Sequence, residues 1–85
     1  NVSTYALSRA LNLDFDQVDV VEDINRTFAT EMMNASVADN SERDAKVQSA
    51  IKKDLSYMRY VLSDRQYREY VKLLNVTLNN RGLNK

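Results

Sequence analysis

Leu13-Asp14-Phe15-Asp16-Gln17-Val18 and Leu62-Ser63-Asp64-Arg65-Gln66-Tyr67 carry one pattern twice in a chain of 85 residues. Each begins with leucine, followed by a short oxygen-bearing side chain, Asp14 or Ser63. Three positions after that residue stands a glutamine, Gln17 or Gln66. A side-chain oxygen at an N-cap accepts from the N3 backbone N–H, and a glutamine at N3 reaches back to the N-cap N–H. The pattern therefore predicts two capping boxes. The leucine then falls at N′ and an apolar residue at N4, Val18 or Tyr67, the spacing of a hydrophobic staple. Asp16 and Asp64 add negative charge to the first turn, where the helix dipole favours it.

Apolar periodicity extends both starts into long helices. Val18, Val21, Ile24, Phe28 and Met32 recur at spacings of three and four, and Phe15 extends that stripe backward. Tyr67, Tyr70, Val71, Leu74 and Leu78 form the stripe of the last helix, which ends at Gly82, the residue best suited to a left-handed C′ position. Between them Val47, Ile51, Leu55, Met58 and Leu62 mark a third stripe, and Leu7, Ala10 and Leu11 a short one near the start. The predicted helices span about 3–11, 15–34, 41–61 and 64–81, with a polar turn at Asn34–Asn40. These make a single domain over 1–85, an all-α helical hairpin or small bundle of three to four helices.

Composition leads to the same class. Average usage would give about four prolines and six glycines in this length. The chain has no proline and one glycine, too little turn chemistry for a small β fold. It has no cysteine and no histidine, which removes Ser-His-Asp and Cys-His nucleophilic sites and the usual zinc sites. One glycine also leaves no phosphate-cradling loop. No catalysis and no cofactor are expected. No apolar run reaches the length of a membrane span.

The zero net charge divides unevenly. Residues 1–40 hold seven acids against Arg9 and Arg26, a net of −5; residues 41–85 hold ten bases against five acids, a net of +5. Opposite signs of this kind select register and partner more than they add stability. A thin core without disulfide or metal often gains from oligomerisation, so a homodimer is the expected assembly.

The two boxes resemble the Leu-Thr-x-x-Gln motif of small bacterial periplasmic proteins of the Spy and CpxP family, which carry it twice in an all-helical chain. The match falls on Leu13, Asp14 and Gln17, then Leu62, Ser63 and Gln66, with Asp14 and Ser63 in place of the family's threonine. The resemblance implies a curved helical hairpin that dimerises into a cradle. It also implies ATP-independent, chaperone-like binding of unfolded or stress-exposed proteins. The general style is also similar to small secreted helical proteins of Bacteroidetes, a likeness that implies no activity. With the resemblance, Asn1 in place of an initiator Met predicts a processed periplasmic or secreted protein. The alternative is a structural or regulatory module that binds one specific partner or assembles with itself.

Three further clusters have simpler readings. Asp14, Asp16, Asp19, Glu22 and Asp23 lack EF-hand spacing and predict a solvated helix face rather than a metal site. Tyr57, Tyr60, Tyr67 and Tyr70 alternate with Arg59, Arg65, Arg68 and Lys72, as single-strand nucleic-acid binders do. Tyr67 and Tyr70 nevertheless lie in the apolar stripe, so the core is the expected place for them and nucleic acid is not the expected partner. Met32 and Met33, with Tyr57 and Tyr60, are the candidate partner-binding surface, because methionine adapts to varied apolar partners.

Overall fold

In the computed structural model, which describes residues 4–82, Asp14 and Ser63 both adopt extended backbone and each starts a helix. Four helices follow in order: α1 Thr4–Leu11, α2 Phe15–Ser36, α3 Asn40–Val61 and α4 Asp64–Asn80. There is no strand among the described residues, so the all-α class holds. The predicted start of the first helix at Ser3 lies outside the described residues.

The connections show how a chain so poor in glycine and proline turns its corners. Asn12 ends α1 in the left-handed region (φ 54°), which asparagine tolerates better than most residues. The Leu13 N–H donates to Ser8 C=O at 3.0 Å and the Asn12 N–H to Arg9 C=O at 3.4 Å, the bond pair of a Schellman motif. Between α3 and α4 the turn needs no left-handed residue, because Leu62 and Ser63 are both extended. Gly82 closes α4 with φ 70° and donates to Asn79 C=O at 3.0 Å.

Three boundaries differ from the sequence reading. α2 continues through Asn34, Ala35 and Ser36, and α3 begins at Asn40, so the polar turn shrinks to Val37–Asp39. Ser36 is accommodated because its Oγ donates back to Met33 C=O at 2.6 Å, and Ala35 is fully buried. α4 ends at Asn80 rather than Arg81, which serves as the C-cap.

α2 and α3 pair along their length as an antiparallel hairpin; α1 lies against α2 and α4, and α4 against α1 and α3. The molecule measures 40 × 21 × 19 Å. At a rise of about 1.5 Å per residue the hairpin arms alone span roughly 33 Å. The main core joins Leu7 and Leu11 of α1, Val21 and Ile24 of α2, Met58 of α3 and Tyr70, Leu74 and Leu78 of α4, with Leu62 from the α3–α4 turn. Ala35, Val47 and Ala50 are buried outside that cluster, toward the hairpin tip.

Phe15 does not extend the apolar stripe into the core; it is 95% exposed. Side chains lean toward a helix's N-terminus, so one at the first helical position leans past the last packed layer.

Candidate functional site

Asp14 and Ser63 both perform as capping boxes. Asp14 Oδ1 accepts from the Gln17 N–H at 3.0 Å while Gln17 Oε1 accepts from the Asp14 N–H at 3.0 Å. Ser63 Oγ accepts from the Gln66 N–H at 3.2 Å, and Gln66 Oε1 from the Ser63 N–H at 2.9 Å. Behind the caps, Leu62 is buried, and Leu13 and Tyr67 pack against the core.

The fold then sets the two boxes face to face. Gln17 Nε2 donates to Gln66 Oε1 at 2.7 Å, and Gln66 Nε2 donates to Gln17 Oε1 at 3.1 Å. Each amide uses its second N–H on the end of the helix preceding the other box. Gln17 Nε2 donates to Val61 C=O at 2.9 Å; Gln66 Nε2 donates to Leu11 C=O at 3.1 Å and Asn12 C=O at 3.3 Å. A glutamine side chain has two acceptor lone pairs and two N–H donors. In both residues all four are used, and the pattern is reciprocal, as about an approximate two-fold axis.

This accounts for glutamine in both boxes. A glutamate at N3 could complete its own cap, but it has no N–H for the partner amide or for a carbonyl. Four helix termini meet here, with the carbonyl ends of α1 and α3 set against the amide ends of α2 and α4. Partial charges of opposite sign therefore alternate around the junction. An open, largely polar cleft of about 480 Å³ lies beside it, lined by Ala10, Leu11, Asn12, Ser63, Arg65, Gln66 and Glu69.

The structure thus brings together Leu13, Asp14, Gln17, Leu62, Ser63 and Gln66. It does not bring together the candidate partner surface. Met32 is half-buried against the core, while Met33 is exposed three residues before the end of α2. Tyr57 and Tyr60 are exposed near the end of α3, roughly 15–25 Å from Met33 along the hairpin. The large apolar side chains at the junction end are instead Phe15, 95% exposed, and Tyr60, 90% exposed. One is two residues before Gln17 and the other adjoins Val61, whose carbonyl Gln17 holds.

Only part of the tyrosine-arginine alternation is taken up internally, since Tyr57 and Tyr60 stay exposed. Tyr70 is buried, and Arg59 lies over the Tyr67 ring at 4.8 Å from its centroid. Among the described residues no group of three or more acidic side chains is placed to hold a metal ion. No described helix is long and apolar enough to cross a membrane.

Sequence reasoning missed Asp54. Its side chain is 2% exposed, and it accepts a hydrogen bond at Oδ2 from the Tyr70 hydroxyl. Burial raises its pKa from the ordinary 3.8 to about 6, against the opposing pull of the Tyr70 bond and with help from the negative charge of Glu31. Tyr70 is pushed far above the usual phenol value, first by burial and then by Asp54. The available signal was positional: α3 buries Val47, Ala50, Asp54 and Met58, one stripe at helical spacing with an acid inside it.

Comparison with known proteins finds no matching family model, no matching curated protein and no matching solved structure.

Proposed function

We propose that this chain is a non-enzymatic, protein-binding helical domain that holds unfolded or stress-exposed client proteins without ATP. This is the activity implied by the periplasmic Leu-Thr-x-x-Gln proteins that its two boxes resemble, and the envelope or exterior is the compartment that goes with it. The observation that carries the reading is the placement of Phe15 and Tyr60. Both are almost fully exposed beside a junction whose two glutamine amides have every donor and acceptor used internally. A rigid polar junction flanked by exposed aromatic side chains suits contact with apolar segments of another chain. A homodimer belongs to the same reading, supported by the acidic first half and basic second half of the sequence.

The test is suppression of aggregation of several denatured clients by the purified chain, without nucleotide and at near-stoichiometric ratio. Light scattering on the same sample reads whether its mass is about twice 9.8 kDa. The Phe15→Ser/Tyr60→Ser variant is expected to keep its helical circular dichroism and lose at least about half of the protection, since exposed apolar side chains carry the contact. Absence of protection across all clients overturns the client-binding reading, and a monomer mass overturns the dimer.

A further inference from the structure

Asp54 lies where an ion is poorly tolerated. Its Oδ1 is buried and has no hydrogen-bond partner, and Oδ2 has only the neutral Tyr70 hydroxyl. Tyr70 is itself 4% exposed, so the pair forms a buried link from α3 to α4. The charged and titratable groups around it supply no compensating cation. From α2 the group that acts on Asp54 is Glu31, of the same sign. Lys53, next to Asp54 on α3, is committed to Glu31 at 2.9 Å. From α4 come Tyr70 and, beside it, Tyr67, whose ring carries Arg59 of α3. α1 carries one charged side chain, Arg9, which donates to the Tyr5 hydroxyl at 3.1 Å.

We propose that the Asp54–Tyr70 pair is a proton-operated latch between α3 and α4, which tightens when Asp54 takes up a proton and loosens when it ionises. Proton uptake at Oδ1 removes the buried charge and keeps the Tyr70 bond to Oδ2. What is left is a buried neutral hydroxyl, which costs far less to desolvate than a carboxylate ion. Loosening the latch frees Tyr70, and with it the Leu74 and Leu78 stripe that α4 buries in the core. The sequence leaves this group unusual freedom to act near neutrality, because the chain has no histidine and no cysteine. The device concerns helix docking in this chain and does not depend on client binding.

The sign of the pH dependence is set by the direction of the shift. The folded state holds the Asp54 proton more tightly than the unfolded state, so the stabilisation is complete below about pH 3.8 and is lost as pH rises through about 6. The unfolding constant of the unmodified protein is therefore expected to be about tenfold smaller at pH 5 than at pH 7 through this group alone. Urea titrations of the unmodified protein and of Asp54→Asn, compared at both pH values, isolate it from the other carboxyl groups. The ratio of their unfolding constants should change about tenfold between pH 5 and 7. Tyr70→Phe removes the bond that favours the ionised carboxyl and should move the transition to higher pH. If a variant does not fold, a carbon-13 NMR titration of the Asp54 carboxyl in the unmodified protein decides the matter. A midpoint near 6 supports the latch. Parallel pH dependence in protein and variant, or a midpoint near 4, overturns it.

Discussion

At one end of the α2–α3 hairpin four helix termini converge on two glutamine amides with every donor and acceptor used. At the other end α2 passes into α3 through Val37–Asp39. There Asp39 makes no side-chain cap and Val37 is 82% exposed. Arg43 reaches over the turn, to Ser36 C=O at 3.4 Å and Ala38 C=O at 3.3 Å. The cores differ in the same sense. Near the junction α1 and α4 flank the hairpin and help bury Met58 and Val21 completely, whereas the tip buries small side chains, Ala35, Val47 and Ala50. Both ends serve the same two long helices, so the contrast shows where stability is concentrated. It lies where non-local contacts cover the hairpin.

The largest test of that contrast is truncation in the two cores. Met58→Ala is expected to cost about 2–5 kcal/mol by urea denaturation, because it leaves a cavity among side chains from several helices. Val47→Ala removes about two methylene equivalents from the tip and should cost about 1–2 kcal/mol. Equal losses at the two sites would remove the distinction between a packed base and a light tip.

The amide pair comes next. Gln17→Ala and Gln66→Ala each strand a part-buried carbonyl and the partner amide, at about 1–3 kcal/mol apiece. In the double variant the second substitution should cost less than the first, with a coupling of about 1–2 kcal/mol. Strict additivity would mean that the two boxes act as separate caps. The smallest effects compare the helix starts: Ser63→Ala should lose about 1 kcal/mol with its cap bond. Asp39→Ala, with no such bond to lose, should stay within about 0.5 kcal/mol. A full cap penalty at Asp39 would contradict the turn geometry.

Much of the fold was legible because its causes are local. The caps at Asp14 and Ser63 depend on residues three apart, and the stripes at Val21–Ile24–Phe28 and Tyr70–Leu74–Leu78 depend on a period of 3.6. The ends of the polar turn were harder to read. Ser36 is a poor helix former in isolation, but it returns its hydroxyl to Met33, and the Ala35 beside it is buried by tertiary contact. Phe15 was misplaced because periodicity says which face a residue occupies, not whether any neighbour extends far enough to cover it. The candidate surface is divided for a related reason: Met33 and Tyr60 are both exposed but sit toward opposite ends of a long hairpin, a separation that only the packing of the arms sets.

The sequence by itself determined four helices, two capping boxes and the absence of the residue types most used for nucleophilic and zinc chemistry. Each of these follows from neighbours within one or two turns, or from composition. Only the tertiary structure decided that Gln17 and Gln66 bond to each other across 49 residues. It also decided that Asp54 is held against Tyr70 without a cation. Both outcomes depend on which helix ends meet and which stripe position is sealed from water. Those are through-space consequences of packing four helices around one core, and they leave little trace in local sequence.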